Sequence, residues 1–153
     1  MYDALTTIIT TALPTHKELN NPYFPENDAE IQYDAAFGLA YAGGLNVNGN
    51  PRSGNEQRQR DFIITLTKRK FATSRDKTSR ITAEKDLMED WTTMVDAIAE
   101  APRLGTPSPV QQAFYVSDDG VEFLRLDRNR SNILLIRTVI QVEYEVKVTA
   151  SNC

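Results

Sequence analysis

The chain has 153 residues, 41% hydrophobic and 25% charged, which suits one domain (1–153) with a sizeable core and is short for two. Seventeen Lys and Arg against 21 Asp and Glu leave a net charge of −4, which argues against a dedicated nucleic-acid binder while leaving room for a local basic patch. The longest apolar run, Ile133–Ile136, is far below a membrane span, and the single cysteine, Cys153, removes intrachain disulfides and cysteine zinc sites together. Tyr2 and Asp3 stand where a signal peptide carries basic residues, so none is expected, and one cysteine fits a reducing compartment.

Ala4, Leu5, Ile8, Ile9, Ala12 and Leu13 recur at helical spacing and Pro14 closes the segment, which predicts a short amphipathic helix over Tyr2–Leu13. A turn-rich stretch through Pro22 and Pro25 follows. From Glu30 to Gly43 the large apolar residues Ile31, Tyr33, Phe37, Leu39 and Tyr41 are all odd-numbered, the pattern of a half-buried strand. The Gly-, Asn- and Ser-rich Gly43–Asn55 then joins two strands that look like a hairpin, yet it is far longer than the two to five residues hairpins usually need. This projecting loop, taken as residues 43–57, is expected to make functional contacts.

The strand and helix within Arg58–Ala99 are the smallest unit here able to bury a core. Phe62, Ile64 and Leu66 fall on one face of the strand Arg58–Phe71, with Ile63, Thr65 and Thr67 on the other. Ala72–Arg80 reads as a polar loop, with Ser79 or Thr82 capping a helix that ends at Ala101 and Pro102. Leu87, Trp91, Met94, Val95 and Ile98 form a stripe on that helix which needs a sheet to lie on.

The remainder reads as a meander: Val110–Val116, a tight turn at Ser117–Gly120, Val121–Leu126, a second turn, and a C-terminal strand over 133–148. In that last strand Leu134, Ile136, Thr138, Ile140, Val142, Tyr144, Val146 and Val148 share one parity, while Arg137, Gln141, Glu143, Glu145 and Lys147 occupy the other. Its sixteen residues would span roughly 50 Å, against a diameter near 40 Å for a compact domain of this length. The strand must therefore bend, break or project. Projecting strands with an apolar face aggregate unless covered, so self-assembly is expected, a neighbouring copy being the cover.

Short motifs add little. Gly44 and Gly49 have the opening spacing of a phosphate-binding loop, but Asn50 and Pro51 stand where Lys and Ser/Thr belong. Asn129–Ser131 matches a glycosylation acceptor by chance in a chain without a secretory signal. The pairs Asp118/Asp119 and Glu89/Asp90 read as turn chemistry and a solvated helix face. His16, the lone histidine, reads as an exposed surface residue beside Lys17. Arg58, Arg60, Lys68, Arg69, Lys70, Arg75, Lys77 and Arg80 gather around the central strand and its following loop, a basic cluster able to contact phosphates or a neighbouring subunit's acids. A second, weaker cluster holds Arg125, Arg128, Arg130 and Arg137.

Taken together, a short N-terminal helix (Tyr2–Leu13), a long strand pair around a loop (Glu30–Phe71), one major helix (Thr82–Glu100) and a closing meander through Thr138–Glu145 resemble the tail terminator (tail completion) proteins of long-tailed bacteriophages. The resemblance is an order of elements rather than a motif, and it covers most of the chain. It implies an α+β fold, a mostly antiparallel twisted sheet with a major helix and a short N-terminal helix packed on one face. It also implies a virion protein, assembled in the host cytoplasm, that forms a ring of six copies. Such a ring caps the tail tube, docks to the head-side connector or stopper, and lets DNA pass through its lumen without specific binding. No catalytic residues, metal, cofactor or membrane association come with it. The residues expected to contact a neighbouring subunit or the tube are Asn46, Asn48, Arg52, Arg58, Arg60, Lys68, Arg69 and Lys70. A head-completion or stopper subunit of the neck is the nearest alternative. A small soluble enzyme using His16 and a carboxylate, or a monomeric binding module, are alternatives of other classes.

Overall fold

The computed structural model describes residues 1–23, 34–43, 46–48, 55–71, 77–101, 104, 110–125 and 131–147. In chain order these form α1 (Tyr2–Ala12), β1 (Lys17–Glu18), β2 (Ala35–Tyr41), β3 (Asn46–Asn48), β4 (Asn55–Phe71), α2 (Lys77–Glu100), β5 (Val110–Arg125) and β6 (Ser131–Lys147). The sheet runs β1-β2-β4-β6-β5, with β3 on the same edge of β4 as β2. All of its pairings are antiparallel except the short parallel one between β1 and β2. The architecture is α+β, as expected.

The core lies between this sheet and the two helices. Phe62, Ile64 and Leu66 of β4, Phe37 and Leu39 of β2, and Leu134, Ile136, Ile140 and Val142 of β6 form one cluster with Leu5 and Ile9 of α1 and Leu87, Met94 and Ile98 of α2. Strand parity and the helical stripes therefore meet as the alternation predicts. Each of these side chains, taken fully from water, contributes about 1.5–3 kcal/mol of favourable transfer free energy. α1 begins without a side-chain cap, and its last turn closes by the Leu13 amide donating to the Ile9 carbonyl at 2.8 Å before Pro14 ends it.

The opposite face of the sheet is not uniformly wet. Ile133, Leu135, Thr65 and Thr67 are buried there, although the wet parity of β6 continues from Arg137 onward. Part of the cover is local. Leu19 and Pro22 lie over Gly38, where an added Cβ would sit 2.5 Å from Pro22 Cβ.

Three expectations are corrected, and one left open is narrowed. The helix starts at Lys77, so Ser79 and Thr82 lie inside it rather than capping it, and Arg80 pairs with Glu84 one turn on at 3.5 Å. Ser117–Gly120 is not a turn between two strands. β5 runs unbroken past it, with register shifts at Val110/Gln112, Tyr115/Ser117 and Asp118/Val121, and absorbs the extra residues as bulges. The Gly43–Asn55 loop is shorter than it looked, because Asn46–Asn48 pairs with Gln57–Gln59 as β3. Finally, β6 does not break. Its 17 residues stay in register with the 17 of β4 from Asn55↔Lys147 to Phe71↔Ser131. At about 3.3 Å per residue that ladder is roughly 56 Å long, so of the three outcomes breaking is excluded.

Candidate functional site

Two places concentrate polar chemistry. The first is the end of the β3-β4-β6 ladder that begins at Asn55. Even-numbered positions of β4 share the helix-side face with Phe62 and Ile64, which places Arg58 and Arg60 on that face. Arg58 donates from Nε to Glu56 Oε1 at 2.7 Å, which holds its guanidinium charged above its ordinary pKa. The Arg60 guanidinium lies 5.8 Å from the centroid of the Tyr41 ring, and no carboxylate partner is found for it among the described residues. Tyr41 is 56% exposed, packs against Phe62 at 4.9 Å and faces Tyr2 at 6.1 Å between centroids. The Tyr2 hydroxyl reaches Glu18 Oε1 and the Leu39 carbonyl, both at 3.3 Å; burial first, and then the Glu18 charge, push its pKa up.

The opposite face of the same ladder has different chemistry. It carries Gln57, Gln59 and Asp61 from β4 beside Gln141, Glu143 and Glu145 from β6, each pair in register. Side-chain amides brace the carboxylates along each strand: Gln59 Nε2 donates to Asp61 Oδ1 and Gln141 Nε2 to Glu143 Oε1, each at 3.1 Å. Asn46 and Asn48 pair with Gln59 and Gln57 in the register of β3 on β4. Lys147, in register with Asn55, is the next position on β6 with the parity of Glu145.

The second place was not expected. Lys68, ten residues and roughly 33 Å along β4 from Arg58, lies with its Nζ 3.7 Å from Oδ2 of both Asp86 and Asp90 on α2. Asp86 and Asp90 are one helical turn apart, which is why one ammonium reaches both. His16, on the link between α1 and β1, places Nε2 3.4 Å from Asp90 Oδ2. It is not an exposed surface residue: it is 6% exposed, and neither ring nitrogen has a hydrogen-bond partner among the described residues. The cause lies in the tertiary structure, because α2 and β4 bring Asp90 and Lys68 over a loop whose own sequence is polar. Burial holds the His16 pKa below its ordinary value; Asp90 acts to raise it and Lys68 to lower it further.

The residues singled out from sequence therefore do not form one cluster. Arg58 and Arg60 are together, Asn46 and Asn48 are on the neighbouring strand β3, and Lys68 is occupied by two aspartates elsewhere. Arg69 and Lys70 pair with Ile133 and Asn132 at the far end of β4, and Arg52 lies outside the described residues. Sequence reasoning missed Tyr41 as an exposed platform and Asp61, Glu143 and Glu145 as a patch. The odd parity shared by Gln57, Gln59, Asp61, Gln141, Glu143 and Glu145 was the available signal.

Among the described residues, no group of three or more His, Cys, Asp and Glu is placed to hold a metal ion. The buried His16 ring meets the half-buried Asp90, which also pairs with Lys68, and a shallow depression on α2 lined by Lys85, Met88, Glu89, Thr92 and Thr93 includes none of the three. No described helix is long and apolar enough to cross a membrane.

No protein-family model matches the chain, and neither does any curated protein. Among solved structures it is similar to a chain from the virion of a native gene transfer agent particle, at 12% identity and a TM-score of 0.51, over 95% of this chain and 91% of that one. At this identity the likeness is one of fold, and it spans nearly the whole of both chains.

Proposed function

We propose that this chain is a structural protein of a phage-like virion, and within that class a tail terminator. In this reading six copies form a ring that caps the finished tail tube and joins it to the head-side connector. Genome DNA passes through the lumen without specific binding, which an acidic chain permits because it offers phosphates little to hold. Assembly takes place in the host cytoplasm and the protein ends in the tail or neck of the particle. The observation that carries the reading is the fold likeness to a virion chain over 95% of this sequence. The element order compared above with tail terminators supports the narrower assignment, as does a long ladder bearing polar chemistry on both faces at one end.

The proposed contact residues are Asn46, Asn48, Arg52, Arg58, Arg60, Lys68, Arg69 and Lys70, of which Arg58 and Arg60 are placed together on one face. A role as head-completion or stopper subunit differs in its partners: such a subunit binds the connector and leaves tail tubes alone. Light scattering or native mass spectrometry over a concentration series, with and without purified tail tubes, tests the assignment. A ring, or a monomer that becomes a ring on tubes, is expected. A strict monomer at every concentration with no affinity for tubes or connectors would overturn it.

A further inference from the structure

The two faces of the Asn55 end of the ladder carry opposite charge. On the helix side Arg60 lies against the exposed Tyr41 ring with no described carboxylate partner, next to Arg58 with its Glu56. On the reverse side are Asp61 and Glu143, each braced by a glutamine amide, with Glu145 next along β6 and Lys147 at the following position of the same parity, so the acids outnumber the base there. Arg and Tyr are the side chains that most often anchor protein interfaces, since they offer large contact area together with directional polar groups. A surface whose front complements its own back is suited to a second copy of the same chain. Joining front to back is a heterologous contact, the kind that propagates around a ring and closes when the rotation allows, whereas a two-fold contact would set like against like.

We propose that this sheet end is the contact between neighbouring copies: Arg60, Arg58 and Tyr41 of one copy dock on Asp61 and Glu143 of the next. The inference rests on the ring reading above and specifies its surfaces. The polar faces fit such a role, because a wet contact between charged patches gives register and orientation, and like-charge juxtaposition rejects the inverted arrangement.

The test is a charge swap. Arg60→Glu alone sets acid against acid at every contact, and Glu143→Arg alone sets base against base. Each is expected to raise the concentration needed for assembly by roughly tenfold or more. Mixed in equal amounts, the two variants restore every contact in an alternating ring with an even number of copies. The wild-type acid face of the first meets the wild-type basic face of the second, and the two reversed faces meet each other. Native mass spectrometry then reads an alternating complex at the concentration where each variant alone is monomeric, and an unfolded variant could not produce it. Wild type remaining monomeric throughout would overturn the ring reading and this inference with it. Variants that assemble like wild type would overturn the docking surface and leave the ring standing. Variants that fail singly and also fail when mixed would show that these two faces do not meet.

Discussion

Protonation of His16 has to place a charge in a site that burial has made unfavourable for one. Desolvation lowers its folded pKa, Asp90 pulls the other way, and the Lys68 ammonium, which also reaches Asp86, lowers it further. A base with a depressed folded pKa binds its proton less well folded than unfolded. Its contribution is therefore fully present above the ordinary value of 6.5 and is lost as pH falls from there towards the folded pKa. Urea denaturation of wild type should show a midpoint falling over that window, with a shallower pH slope in His16→Gln. An unchanged slope in the variant would mean that other groups carry the dependence. A second residue is constrained by space alone. Gly38→Ala puts a methyl 2.5 Å from Pro22 Cβ and 3.1 Å from its Cα, so the Leu19–Pro22 segment has to lift from the sheet. Overpacking of this kind costs about 1–3 kcal/mol, and a melting temperature equal to wild type would show that the segment gives way freely.

At the scale of elements, one hydrogen bond ties the major helix to the middle of the sheet. Trp91 Nε1 donates to Thr138 Oγ1 at 2.8 Å, and Thr138 is fully buried on β6. The indole also meets the Tyr115 ring edge-on at 5.5 Å. Trp91→Phe keeps much of the packing and leaves the threonine hydroxyl without this donor, a loss of about 1–3 kcal/mol. Adding Thr138→Val should then cost less than it does in wild type, because the orphaned hydroxyl goes with it; additive losses in the double-mutant cycle would deny the coupling. The stripe that includes Trp91 was plain in the sequence because helical spacing is local. The same holds for the parity of β4 and β6, which set the sheet's dry face. What was not legible depended on partners distant in the chain or on residues with two uses. Asp118 accepts from the Gly120 amide at 2.8 Å and Gly120 has φ +75°, the chemistry of a tight turn placed inside a bulged strand. β3 is three residues in a Gly/Asn background, recognisable only once β4 is beside it. His16 carried no local sign of burial, since its neighbours come from β4 and α2. The basic cluster was read as a unit because sequence proximity hides the length of a strand: Arg58 and Lys68 are at opposite ends of one.

Among the described residues the ladder extends past the cluster it shares with the helices. Both helices share the cluster with residues from Phe37 and Phe62 to Val142, whereas among the described residues Glu145–Lys147 pair with β4 alone, the β5 register beginning at Val110↔Tyr144. Stability should follow this layout. Amides of Phe62–Thr67 and Leu134–Ile140 sit between packed strands under α2 and should exchange through global unfolding. Those at Asn55–Gln59 and Glu143–Lys147 should open locally and exchange faster in the isolated chain. If the sheet end is the contact between copies, assembly closes that difference, since opening there would first require a neighbour to leave. Hydrogen exchange followed at a concentration where the protein is monomeric, and again where it is assembled, should show slowing confined to the strand ends near Asn55 and Lys147. Raising salt should reverse part of it by screening the Arg60 and Glu143 charges. Slowing that appears on α2, with the strand ends unchanged, would assign the contact to the helix face and leave the ladder's polar end free for tube or connector.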